Sequence, residues 1–228
     1  MSDLDTSALG NWLKEKLPGQ DGLSYERIGG GQSNPTWFVD FGTRRMVLRK
    51  KPAGPILKGA HAIEREFRVL RALEETPVPV PRALWLEEDT SILGTPFYVM
   101  DRLHGRVFSS SSLPGVAAGE RREMYLDMAR VLAGLHAVRP DEIGLGDFGR
   151  PGNYFQRQID RWSGQYAASA GPRIPALDRL VAWLPDHIPP EDGAVSIAHG
   201  DFRIGNLMYH PTEPRVIAVL DWELATLG

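Results

Sequence analysis

The chain has 228 residues, 42% hydrophobic and 24% charged, enough to bury a sizeable core and ordinary for a globular fold. A net charge of −3 argues against a general nucleic-acid binder, since no basic excess exists to neutralise a phosphate backbone. The absence of cysteine excludes disulfides, thiolate metal sites and cysteine nucleophiles, and fits a reducing compartment.

No apolar run approaches the ~18–20 residues that span a bilayer, and Met1-Ser2-Asp3-Leu4-Asp5 lacks the charged and apolar regions of a signal peptide. The expectation is a cytoplasmic protein with no membrane partner and no nucleic-acid partner.

Residues 4–17 carry a helical pattern (Leu4, Ala8, Leu9, Trp12, Leu13, Leu17), stopped by Pro18-Gly19. Tyr25–Ile28 reads as a strand that enters Gly29-Gly30-Gly31-Gln32-Ser33-Asn34, and Trp37–Phe41 as the returning strand. Glycine-rich backbone lets N–H groups approach an anion closely, so Gly30, Gly31, Gln32, Ser33 and Asn34 are candidates to bend over phosphates. A plain hairpin turn explains the same residues. Gly42-Thr43 predicts a tight turn before a third strand, Arg45–Arg49.

Glu64–Glu75 reads as a helix with Ile63, Phe67, Leu70 and Leu73 inward. Glu66 shares that inner side, an odd place for an unpaired carboxylate, and a partner such as Arg49 would account for it. Pro77–Pro81 ends the helix in extended chain. Strands are expected near 82–87 and 96–102, which makes a small mixed sheet with one helix. Ser109–Gly119 reads as a mobile connector. A helix marked by Met124, Met128, Val131, Leu132 and Leu135 follows, and 156–184 is mostly helical with breaks at Gly171-Pro172 and Pro175.

The densest chemistry comes last. A short apolar strand (Val195, Ile197, Ala198) leads to His199-Gly200-Asp201, Asn206 stands five residues after the acid, and Asp221 ends the apolar run Val216–Leu220. Phosphoryl transfer from ATP needs such a set: a carboxylate to accept a hydroxyl proton, and an Asn and an Asp to hold Mg²⁺ on the phosphates. Taken singly, Asp201 and Asn206 could equally be loop or turn caps. Glu223 fits a further ligand or a solvated charge. The histidines outside the motif show no metal-ligand spacing, and His199 reads as a structural, hydrogen-bonded residue.

His199-Gly200-Asp201 with Asn206, followed by Leu220-Asp221-Trp222-Glu223, resembles the aminoglycoside phosphotransferase and choline kinase superfamily, which is similar in turn to the protein kinases. Leu48-Arg49-Lys50-Lys51-Pro52 with Gly54 is similar to the kinase-like half fused to some long acyl-CoA dehydrogenases. The resemblance covers about Ile28 to the end. It implies an α+β, protein-kinase-like bilobal fold: an ATP-binding N-lobe over residues 1–103 and a mainly helical C-lobe over 104–228. Relatives of this kind continue with further helices past the strand-borne acid, so it also implies that this C-lobe is partial.

The roles implied by the resemblance follow. Asp201 is the general base. Arg203 faces the γ-phosphate, or else forms an ion pair within its loop. Asn206 and Asp221 hold Mg²⁺. Arg49 is the first choice for the α/β-phosphates, oriented by Glu66, and Lys51 the second. Met100 lies behind the adenine, whose edge bonds the Asp101 carbonyl and the Leu103 N–H. The cofactors are ATP and Mg²⁺, and the substrate is a hydroxyl of a small molecule, favouring an acyl or other metabolic compound over an antibiotic. Two other classes stay open: a nucleotide-binding pseudokinase, and a regulatory or interaction module of a larger enzyme with a fused or partner acyl-CoA dehydrogenase.

Overall fold

The computed structural model describes residues 4–29, 34–53, 63–150, 152–191 and 193–228. They divide into two compact units, one of 1–135 with 199–225 and the other of 136–198 with 226–228.

In the first unit, helix α1 spans Thr6–Lys16. It starts where it does because the Asp5 carboxylate accepts from the N–H groups of Ser7 and Ala8, both at 3.0 Å. Strands β1 (Leu23–Arg27), β2 (Thr36–Phe41) and β3 (Arg44–Lys50) follow, then α2 (Ile63–Leu73), β4 (Ala83–Glu87), a short α3 (Thr90–Leu93) and β5 (Phe97–Asp101). The sheet order is β1-β2-β3-β5-β4, and each pairing is antiparallel, so the sheet expected as mixed is antiparallel throughout. β3 and β5 become neighbours because the intervening α2 and β4 return the chain antiparallel.

The two-residue period of these strands gives the sheet two different faces. Val39, Phe41, Met46, Leu48, Phe97 and Val99 pack with Leu9, Trp12 and Leu13 of α1 into one core. Trp12 lies edge-on to Phe97 at 4.9 Å and donates its indole N–H to Glu87 at 2.8 Å. The opposite face carries Phe38, Val47 and Met100, which stand in one row because Phe38 pairs with Val47 and Val47 with Met100. α2 buries Ile63, Glu66, Val69, Leu70 and Leu73. Phe67, expected inward, is only half-buried and lies against the Tyr98 ring at 6.0 Å, and Val69 takes its place in the core.

β6 (Arg106–Val107), β8 (Leu207–Tyr209) and β9 (Val216–Val219) form a three-stranded sheet beside α4 (Ala118–Ala137). Arg106 ties this region: its guanidinium donates to the His210 and Glu213 carbonyls, both at 2.9 Å, and to Glu120 at 2.8 Å. α4 begins at Ala118, within the stretch expected as a mobile connector, and Leu113 in that stretch is fully buried.

The second unit holds α5 (Tyr154–Ala168), α6 (Pro175–Trp183) and the two-residue strands β7 (Ile197–Ala198) and β10 (Thr226–Leu227), which pair antiparallel. Val195, expected in a strand, precedes β7 and is exposed. Among the described residues no helix is long and apolar enough to cross a membrane.

The α1–sheet core sets a stability expectation. Leu13→Ala removes a side chain with 0% exposure and should cost about 2–5 kcal/mol. Leu126→Ala, at an exposed site on α4, should stay within about 0.5 kcal/mol. Urea melts of the two variants check this; equal midpoints would mean that α1 is not docked on the sheet.

Candidate active site

The loop after β7 is shaped by backbone constraints. Gly200 has φ +85°, and a Cβ there would lie 2.5 Å from the Leu224 carbonyl oxygen, so only glycine fits. His199 is buried. Its Nε2 bonds the Leu220 carbonyl at 2.9 Å, and its Nδ1 accepts the Asp201 N–H at 3.2 Å. That pairing needs a neutral ring protonated on Nε2, and burial agrees by holding the imidazole below its ordinary pKa. The ring also lies 4.6 Å from that of Trp222.

These contacts fix the backbone under Asp201. Its Oδ2 accepts from Arg203 Nε at 3.0 Å and from Asn206 Nδ2 at 2.8 Å, and Asn206 Nδ2 also reaches the Asp201 carbonyl at 2.9 Å. Arg203 thus forms the ion pair within its loop that its position allowed. With Nδ2 committed to Asp201, the buried Asn206 turns its amide oxygen the other way.

The second acid sits at a special backbone position. Asp221 has φ +63°, the left-handed region that a non-glycine residue seldom adopts. Its Oδ1 meets Arg49 Nη2 at 2.6 Å. Arg49 Nε faces Glu66 at 3.0 Å, and Nη2 lies 3.7 Å from Glu223. The other oxygen of Glu66 accepts the Trp222 N–H at 3.2 Å. Burial works against the Arg49 charge, but Glu66, Tyr98 and Asp221 outweigh it and hold the guanidinium above its usual pKa. Burial pushes the Glu66 carboxyl up, while Arg49 and the Trp222 N–H pull it back. Lys51, the second choice for a phosphate contact, instead pairs with Glu64 at 3.7 Å.

One cavity of about 670 Å³ adjoins these groups. Phe38, Val47, Met100, Leu103, Met208 and Val219 make its apolar part, and Arg49, Arg203, Asn206 and Asp221 its charged and polar part. Asp101 and Asn34 also line it. Asn34 is 6% exposed, and neither end of its amide has a hydrogen-bond partner among the described residues. Asp201 does not itself line the cavity; Asn206 and Arg203, both bonded to its Oδ2, do. Gly30, Gly31, Gln32 and Ser33 lie outside the described residues.

Sequence reasoning missed Met208, Val219 and Phe38. Strand alternation puts Val47 on the Arg49 face, and Phe38 joins it only through the β2–β3 pairing; nothing local signals Met208 or Val219.

The donor set suits a hard cation: carboxylate and amide oxygens, with three carboxylates around one guanidinium. Among the described residues no group of three or more His, Cys, Asp or Glu is arranged to hold a metal alone. A magnesium ion here would depend on phosphate oxygens for much of its coordination, its usual mode.

The profile of a phosphotransferase enzyme family matches residues 24–228. The chain is 48% identical over 198 residues to mouse acyl-CoA dehydrogenase family member 10, covering 87% of this chain and 18% of that protein. It is 44% identical over 229 residues to chicken acyl-CoA dehydrogenase family member 11, covering 98% and 29%. It therefore spans less than a third of these curated relatives. A solved protein from Ralstonia eutropha, provisionally named an aminoglycoside phosphotransferase, superposes with a TM-score of 0.86 at 51% identity, covering 99% of this chain and 66% of that one. The macrolide 2′-phosphotransferase of Brachybacterium faecium superposes at 0.67 with 21% identity, which shows the shared kinase-like fold alone. The chain belongs to the phosphotransferase enzyme family.

Proposed function

We propose that the protein transfers the γ-phosphoryl group of ATP to a hydroxyl of a small molecule. The observation that carries this reading is a cavity lined by Asn206 and Asp221 together with apolar side chains, with Asp201 bonded to the lining Asn206. An apolar slot beside a cluster of cations and hard-oxygen ligands suits a nucleotide, with its base among Phe38, Val47, Met100, Met208 and Val219 and its phosphates toward Arg49. Asp101 and Leu103, which also line the cavity, would bond the base edge. A neighbour only 16% identical was solved with streptomycin and ATP, consistent with nucleotide use in this fold. We keep the division into an ATP-binding lobe over 1–103 and a second lobe over 104–228 as part of this proposal.

In the proposed step the acceptor hydroxyl oxygen forms a bond to the γ-phosphorus, the bond to the β-bridging oxygen breaks, and ADP leaves. Asp201 takes the hydroxyl proton on its carboxylate. Asn206 and Arg203 hold that carboxylate in one orientation, and the neutral His199 holds its backbone. Arg203 would also offset charge on the transferring group. Arg49, oriented by Glu66, contacts the α- and β-phosphates. Asn206 and Asp221 would hold Mg²⁺, which supplies charge neutralisation on the phosphates when bound.

The relatives named as acyl-CoA dehydrogenases favour an acyl-type hydroxy compound as acceptor, delivered to or received from a fused or partner dehydrogenase.

Two measurements test this reading. Mg·ATP should raise the melting temperature, because a ligand at about 100 times its Kd stabilises the fold by about 2.7 kcal/mol; no shift at millimolar Mg·ATP sinks nucleotide binding. Asp201→Asn keeps size and hydrogen bonding but cannot take a proton, so turnover should drop by roughly 10²–10⁴-fold with ATP affinity nearly unchanged. Asp221→Asn should instead weaken Mg·ATP binding itself. Calorimetry and turnover together separate the roles, and full turnover in Asp201→Asn would remove it as the base.

A further inference from the structure

Three carboxyl groups approach Arg49, at 3.0, 2.6 and 3.7 Å, and the two ends of the guanidinium meet them differently. The Nε end meets a single buried carboxylate, as an ion pair without a hydrogen bond. It faces Glu66 at 3.0 Å, and Glu66 is buried with its other oxygen on the Trp222 N–H at 3.2 Å. Trp222 is itself buried, and its indole N–H donates to the Val219 carbonyl at 3.0 Å. Glu66 cannot follow Arg49 without breaking the bond that pins the Asp221-Trp222-Glu223 segment. The Nη2 end has a choice. Asp221 and Glu223 flank the pinned Trp222 and present carboxylates to the same nitrogen, one at 2.6 Å and the other at 3.7 Å.

A carboxylate in a 2.6 Å contact with a guanidinium is poorly placed to hold a second cation, because the two positive charges would share one anion. We infer that Glu223 is a positioning residue that takes over the Nη2 end of Arg49 when Asp221 turns from the guanidinium to the cation of a bound nucleotide. This rests on the reading of Asp221 given above. Arg49 then keeps its place through Glu66 at Nε and Glu223 at Nη2, and Asp221 is released. The exchange needs the separately addressed nitrogens of a guanidinium, which the point charge of a lysine lacks. It gives a physical use to an arginine at this position on β3.

The test is a calorimetric titration of ATP into the full-length protein, with Mg²⁺ and with EDTA, for the wild type, Glu223→Gln, Asp221→Asn and the double variant. Glu223→Gln should leave metal-free affinity within about twofold and cut the Mg²⁺-dependent gain by about tenfold, the weight of one charged contact. In the Asp221→Asn background the same substitution should add nothing, because no carboxylate remains to be released. Equal losses with and without Mg²⁺, an undiminished Mg²⁺ gain in Glu223→Gln, or an effect that persists beside Asp221→Asn would each overturn the exchange. An intact Mg²⁺ gain in the Asp221→Asn single variant is a separate outcome: it removes the reading of Asp221, and the exchange with it.

Discussion

The guanidinium of Arg49 is the point on which the site depends. It stands on β3, reaches Glu66 on α2, and meets Asp221 from 172 residues further along the chain. One side chain thus joins the five-stranded sheet, the helix packed beside it and the loop after β9. Such a buried cluster is costly to desolvate and weak evidence of net stability. Its value lies in geometry: three carboxylates that would repel one another are held together by one cation. The special φ of Asp221 belongs to the same arrangement, because the segment is pinned immediately after it by the Trp222 N–H on Glu66.

The sheet beneath it serves two purposes through one alternation. Met46 and Leu48 turn to α1 and close a core, while Val47 and Arg49 turn to the cavity. A one-residue slip of β3 would exchange the faces, placing Arg49 in the apolar core and Leu48 at the cavity wall. The pairing of Val47 with Met100 and of Arg49 with Tyr98 therefore ties the stability of the core to the placement of the site.

Beneath Asp201 lies a second layer of supporting contacts. The neutral His199 spans Leu220 and Asp201, so the two acidic loops are joined through one ring. Gly200 permits the close pass under Leu224, and the amide of Asn206 holds Asp201 from the other side. Each of these residues sets an angle or a distance for a neighbour.

The sequence by itself determined what is local. Period-two runs over 37–41 and 45–49, the helical stripe of 63–73, the Pro18-Gly19 stop and the spacing of Asp201 and Asn206 all act within one element or one loop, and Asp221 stands out as the acid that ends an apolar run. The pairing of Glu66 with Arg49 was legible too, because a carboxylate on an apolar helix face needs a cation. The tertiary structure alone decided the rest. Val69 is buried while Phe67 is only half-buried against Tyr98, a choice that depends on what α2 packs against. β6, β8 and β10, of two or three residues, carry no period to read. Met208 and Val219 reach the cavity only through strand pairing, and the second and third carboxylates on Arg49 come from beyond residue 220. Local periodicity states which way a side chain leaves its own element; which partner it then meets depends on packing between segments far apart in the chain, and no short-range pattern encodes that.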